Sequence, residues 1–145
     1  MRICLVDDDS TQLEYLKHII GKWSNEKRIY SDMSFFHSAE EMLFENNDSY
    51  PFDMIILDIQ MGKMNGIELA KEIRKKDKKV IIAFISGIAD YVYEGYEVQA
   101  VRYILKPVKK HDVYKLLESV TSRMNTDEKY LILSIILKFC GAIFQ

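Results

Sequence analysis

The sequence predicts a parallel α/β sandwich built as one domain, and three observations lead there. Short apolar runs at residues 3–6, 54–57, 80–85 and 101–105 alternate with segments whose apolar residues recur at helical spacing. The central runs are apolar throughout rather than alternating, which is the pattern of strands buried on both faces. A length of 145 residues suits one ordinary domain with a short appendix, whose core buries roughly two-thirds of the unfolded surface. Strands that alternate with helices are joined by right-handed crossovers.

Taken in order, residues 3–6 form a first strand that ends in Asp7-Asp8-Asp9. Asp9 or Ser10 can cap the helix that follows, and Leu13, Leu16, Ile19, Ile20 and Trp23 form its inner face. Residues 28–36 carry a weaker strand ending at Phe35-Phe36. Ser38-Ala39-Glu40-Glu41 reads as a capping box opening a short helix with Met42 and Leu43 inward. Asn46, Asn47, Asp48, Ser49 and Pro51 make a loop.

The stretch 52–66 is the centre of the chain. A buried strand over 54–57 is followed at once by Asp58, Gly62 and Gly66 mark a loop, and Asn65 with Glu68 caps a helix that turns Ile67, Ala70 and Ile73 inward. A carboxylate at the carboxyl end of a central parallel strand sits where open α/β sheets place their ligands. The basic turn 75–79 is a solvated helix end. A fourth strand over 80–85 ends in Ser86-Gly87. Residues 89–99 are undecided, because Tyr91, Tyr93 and Tyr96 crowd a segment interrupted by Gly95. A fifth strand over 101–105 leads into Lys106-Pro107, and Val113, Leu116, Leu117, Val120 and Met124 mark a last amphipathic helix.

Residues 130–144 are almost wholly apolar, relieved by Ser134, Lys138 and Gly141. The run is shorter than the roughly 20 residues a membrane helix needs. It reads as a strand or helix that docks on something. The N-terminus meets three acids too early to be a signal peptide. A net charge of −2, from 20 Lys+Arg against 22 Asp+Glu, argues against nucleic-acid binding by charge alone. Cys4 and Cys140 suggest no disulfide framework, so a reducing, cytoplasmic setting is expected. His18, His37 and His111 are not spaced to share a metal.

In a parallel sheet, Asp7 and Asp8 from the first strand, Asp58, Ser86 and Lys106 all emerge at one edge. Two carboxylates about 4 Å apart repel by roughly 4 kcal/mol at an effective dielectric near 20. Three such groups call for a cation, and oxygen donors beside a lysine favour Mg²⁺ over zinc. Mg²⁺ next to a lysine and a hydroxyl suits a phosphoryl group, with a carboxylate as nucleophile.

Four motifs then fall in order: Leu5-Val6-Asp7-Asp8-Asp9, Leu57-Asp58-Ile59-Gln60-Met61 with Met64-Asn65-Gly66, Ile85-Ser86-Gly87, and Tyr103-Ile104-Leu105-Lys106-Pro107. In these the chain resembles the response-regulator receiver domain of two-component signalling over residues 1–122, leaving 123–145 as linker and apolar tail. The resemblance implies a doubly wound, flavodoxin-like five-stranded parallel sheet of order 2-1-3-4-5 with helices on both faces. It implies that Asp58 accepts phosphate from a sensor histidine kinase. Asp8, Asp58 and the Gln60 backbone carbonyl would bind Mg²⁺, with Asp7 acting through water. Lys106 and Ser86-Gly87 would hold the phosphoryl group, and Tyr103 would change rotamer as Ser86 moves. The Lys106-Pro107 bond would be cis. A homodimer through the fourth helix, fifth strand and fifth helix would be the readout, with no membrane partner.

Residues 96–107 resemble receivers of LytTR-class transcription regulators, which carry a β-rich DNA-binding domain after the receiver. Asp127-Glu128-Lys129-Tyr130-Leu131-Ile132-Leu133-Ser134 resembles the first strand of such a domain, so the chain reads as a truncated member or a fragment, and DNA would be reached only through an output domain absent here. Two positions depart from the family. Gly62 stands where receivers usually have proline, and Ile88 is apolar where a polar residue could orient a hydrolytic water. The tyrosines at 91, 93, 96 and 103 read equally as packing or as an interaction face.

Asp7-Asp8-Asp9-Ser10-Thr11 also matches the D-x-D-x-T nucleophile motif of haloacid-dehalogenase-type phosphatases, with Asp7 as nucleophile and Asp9 as acid. That scheme leaves Asp58 and Lys106-Pro107 without a role. A flavodoxin-like cofactor binder would need a hydroxyl- and glycine-rich loop after the first strand, where this chain has three acids.

Overall fold

A computed structural model describes residues 1–46 and 49–144, so Asn47 and Asp48 of the expected loop lie outside the described residues. The elements run β1 (Arg2–Val6), α1 (Ser10–Lys27), β2 (Asp32–Phe36), α2 (Ala39–Glu45), β3 (Met54–Asp58), α3 (Gly66–Lys76), β4 (Ile81–Ser86), α4 (Val92–Glu97), β5 (Arg102–Leu105) and α5 (Lys110–Phe144). All neighbouring strands pair in parallel, in the order β2-β1-β3-β4-β5. This is the doubly wound sheet that the sequence predicts.

β1, β3 and β4 are buried on both faces because each lies between two strands and under helices. Cys4, Val6, Ile55, Leu57, Ile82 and Phe84 share one core cluster with Met42 of α2 and with Ile67, Ala70 and Ile73 of α3. Alternation turns Ile3, Leu5, Met54, Ile56, Ala83 and Ile85 to the opposite face. The buried stripe of α1, Leu13, Leu16, Ile19, Ile20 and Trp23, matches its expected inner face.

The caps explain where the helices begin. Asp9 is the N-cap of α1, accepting from the Thr11 and Gln12 N–H groups. Asn65 and Glu68 complete a reciprocal capping box at α3, with bonds of 2.9 and 3.2 Å. At α2 the box is displaced by one residue. Ser38 accepts from Glu41 N–H, but the Glu41 carboxylate reaches past the cap to the His37 N–H at 2.9 Å. Gly95 of α4 faces the Phe84 and Tyr103 rings, and a Cβ there would touch both at 3.4 Å.

The chain divides into two compact units between Tyr114 and Lys115. In the second unit the buried residues Leu116, Leu117 and Val120 keep helical spacing. The expected strand at 127–134 is instead helical, and the expected domain boundary at 122 falls inside α5. The physical reason is that an isolated strand leaves its backbone groups without partners, whereas an existing helix grows by one bond per residue without a new nucleus. Tyr130, Leu131, Ile132, Leu133, Ile135, Ile136, Leu137 and Phe139 are all exposed. Among the described residues no helix is long and apolar enough to cross a membrane.

Candidate phosphoryl-transfer site

Strand register assembles the site. Val6 pairs with Leu57, so Asp7 and Asp58 follow side by side at the carboxyl rim of the two central strands. Asp58 pairs with Ile85 and Ser86 pairs with Leu105, which brings Ser86 and Lys106 to the same rim. The Lys106 N–H donates to the Ser86 carbonyl at 2.8 Å, fixing β5 against β4 where the lysine leaves the sheet.

Asp7 and Asp58 are buried at 3% and 4% exposure, while Asp8 is exposed and opens the cluster to solvent. One carboxylate oxygen from each of Asp7, Asp8 and Asp58 lies within 4.8 Å of the others. The Lys106 Nζ stands 3.4 Å from Asp58 Oδ1 and 3.6 Å from Asp7 Oδ2. One ammonium thus faces two buried carboxylates, with a third at the rim.

The electrostatics follow. Burial pushes the Asp58 carboxyl up to about 6, with Asp7 beside it adding to the rise and Lys106 opposing it. Burial also raises Asp7, against the Asp9 N–H that donates to its Oδ1 at 2.9 Å and against Lys106. Both acids are held above their ordinary range chiefly by burial, which Lys106 offsets only in part. An all-oxygen cluster with surplus negative charge fits a hard divalent cation such as Mg²⁺.

The remaining expected residues are placed as follows. Gln60 is exposed on the loop after Asp58, and a Cβ on Gly87 would stand 3.7 Å from the Gln60 Oε1. Ser86 is fully buried, and its Oγ accepts from the Ile88 N–H at 3.3 Å. Tyr103 is half-buried, its hydroxyl donates to the Ile88 carbonyl at 2.5 Å, and its ring lies 6.1 Å from that of Phe84. The Lys106-Pro107 peptide is cis. Gly66 must approach Asp58 closely, since a Cβ would stand 2.1 Å from the Asp58 carbonyl oxygen.

Asp9, the acid required by the phosphatase alternative, is spent on the cap of α1, and that alternative has no support. Sequence reasoning missed Tyr15, whose hydroxyl donates to the Val108 carbonyl at 2.9 Å and ties α1 to the segment after Lys106-Pro107. It also missed Arg74, whose guanidinium donates to the carbonyls of Val98 at 2.7 Å and Val80 at 2.6 Å. Neither contact has a local signal, since Tyr15 reaches across 93 residues and Arg74 immediately precedes the 75–79 turn, which reads as a solvated helix end.

A parallel sheet with acids, a hydroxyl and a lysine converging at its carboxyl rim defines a phosphoryl-handling α/β domain. The family described as the response regulator receiver domain matches residues 3–118, and the chain belongs to it. Among curated proteins it is similar to the sensory transduction protein LytT of Bacillus anthracis, 28% identical over 118 residues, covering 81% of this chain and 46% of that protein. The chain therefore spans about half the length of such relatives. Among solved structures it resembles the response regulatory domain of mrkE from Klebsiella pneumoniae, with TM-score 0.74, 25% identity, and coverage of 87% of this chain and 99% of that one. It also resembles TrrA from Thermotoga maritima in complex with Mg²⁺-BeF, with TM-score 0.70, 26% identity, and coverage of 82% and 97%.

Proposed function

We propose that Asp58 accepts a phosphoryl group from the phosphohistidine of a sensor kinase in a Mg²⁺-dependent reaction. The observation that carries this reading is Lys106 standing between Asp58 and Asp7 inside a three-carboxylate cluster. Asp7, Asp8, Asp58 and the Gln60 carbonyl would hold Mg²⁺, which supplies charge neutralisation to the phosphoryl oxygens. An Asp58 carboxylate oxygen forms the new bond to phosphorus as the phosphorus–nitrogen bond breaks, and the electron pair returns to the leaving imidazole, which takes up a proton. Lys106 loses its pairing to the Asp58 charge as the acyl phosphate forms and turns to a phosphoryl oxygen. Ser86, one residue beyond the Asp58 pairing, donates its hydroxyl to another.

The same reading makes the switch a population shift: the phosphoryl group favours the state in which Ser86 and Tyr103 turn inward. Exposed Val92, Tyr93 and Tyr96 on α4 and Leu105 on β5 support a protein-binding readout through that face, including homodimerisation. Transcription control through a separate output domain, residues 1–122 as the receiver, and a cytoplasmic setting that keeps Cys4 and Cys140 as free thiols belong to this reading. The test is acetyl phosphate with Mg²⁺ followed by intact mass. The wild type gains one phosphoryl group, while Asp58→Asn and a metal-chelated sample gain none. A wild type that gains no mass, or an Asp58→Asn variant that gains as much, would sink the proposal.

A further inference from the structure

The loop between β3 and α3 is held at its base by its own backbone. The Ile59 carbonyl accepts from the Met61 N–H at 3.0 Å and from the Gly66 N–H at 2.9 Å. Its outer arm, Gly62 to Asn65, is different. Gly62 and Lys63 are exposed, and a Cβ on Gly62 would meet nothing within 4 Å. A glycine in open space gives this arm more backbone freedom than any other residue would. Yet the arm is tied across the structure, because the Met64 N–H donates to the Glu40 Oε1 of α2 at 3.0 Å.

Glu40 and Glu41 stand together in the first turn of α2, and they have separate partners. Glu41 accepts from the His37 N–H and serves its own helix. Glu40 accepts from a residue 24 positions away, on the loop that carries Gln60. The Glu40 oxygen gives the Met64 N–H a partner that the loop itself does not supply. Mg²⁺ tolerates little departure from octahedral geometry, so any freedom left in the outer arm of the loop that carries Gln60 is removed at the expense of binding.

We infer that Glu40 is a positioning residue for Mg²⁺: by holding Met64 it orders the loop that presents the Gln60 carbonyl, and it does this in place of backbone rigidity at Gly62. The inference rests on the proposed Mg²⁺ site and adds Glu40 to it.

The test is Mg²⁺ titration of the full chain by calorimetry, together with amide NMR shifts of residues 60–64. Glu40→Ala weakens Mg²⁺ affinity roughly threefold to tenfold. Glu40→Gln keeps an acceptor oxygen and stays within about twofold of the wild type. Gly62→Ala, which removes loop freedom without a clash, recovers about half of the loss (on a logarithmic scale) in the Glu40→Ala background. Equal affinity of wild type and Glu40→Ala would overturn the inference while leaving the Mg²⁺ site intact. So would Glu40→Gln weakening as much as Glu40→Ala, which would assign the effect to charge. A wild type that binds no Mg²⁺ would overturn the inference and the site together.

Discussion

Gly66 at the start of α3 lies directly against the backbone of Asp58, so that a side chain on one residue would displace the other. A Cβ at Gly66 would stand 2.1 Å from the Asp58 carbonyl oxygen and 2.9 Å from Ile59 Cα, both rigid backbone. Gly66→Ala is therefore expected to cost about 3 kcal/mol or more in urea unfolding, and to disturb acetyl phosphate labelling in whatever fraction folds. Gly21→Ala, where a Cβ meets nothing within 4 Å, is the control and stays at or above wild-type stability.

Lys106→Met removes the ammonium that faces Asp58 and Asp7. The uncompensated carboxylates then bind Mg²⁺ several-fold more tightly, since the cation replaces a lost charge. Labelling by acetyl phosphate slows roughly a hundredfold, because a donor to the transferring phosphoryl group is gone. Calorimetry and time-resolved intact mass separate the two effects, and a loss of both together would contradict the assignment.

The raised carboxyls set a pH dependence with an unusual sign. Asp58 titrates near 6 in the folded protein against about 3.9 when unfolded, so between those values the folded state binds more protons. Asp7 shifts in the same direction. Both groups make stability fall as pH rises, Asp58 through that window, the reverse of a salt-bridged acid. Metal-free protein is expected to lose the Asp58 contribution between about pH 4 and pH 6, and saturating Mg²⁺ at neutral pH to restore it. Thermal unfolding with and without Mg²⁺ at pH 5 and pH 7.5 checks both, and Asp58→Asn abolishes most of the pH effect.

Ile88 bears on the lifetime of the phosphorylated state. It is apolar and half-buried beside the rim, and its N–H is already taken by Ser86 Oγ. The phosphoryl group is expected to persist for minutes or longer in Mg²⁺ buffer, and Ile88→Asn to shorten its half-life several-fold by holding a water. Decay of the wild type within seconds, followed by intact mass, would contradict this.

Arg74 joins the end of α3 to the Val98 carbonyl after α4 and to the Val80 carbonyl before β4. Arg74→Met leaves both carbonyls short of a donor and is expected to cost about 2–3 kcal/mol. Amide exchange in 92–98 should rise more than in α1.

Much of this molecule was legible because its three central strands are buried on both faces and its polar groups cluster at the carboxyl ends of the sheet. The apolar run at 54–57 and the acid after it located β3 and Asp58 together, and the Asn65–Glu68 pair located the start of α3. Order 2-1-3-4-5 came from motif resemblance, since apolar runs alone do not say which strand lies beside which. What escaped were contacts made by long side chains to distant backbone: Tyr15 on Val108, Arg74 on Val98, Glu40 on Met64. Residues 89–99 stayed undecided because Gly95 interrupts them and the rings it faces, Phe84 and Tyr103, lie on β4 and β5. Residues 127–134 resemble the first strand of an output domain, but without a neighbouring strand the helix already under way prevails.

The pairing of Val6 with Leu57 and of Asp58 with Ile85 has a consequence for how this chemistry can be lost. Sliding β3 by a single position would swing its acid to the wrong side and drive Met54 and Ile56 out of the layer they fill. Moving the candidate phosphoacceptor along its strand would therefore repack both apolar faces of β3 as well.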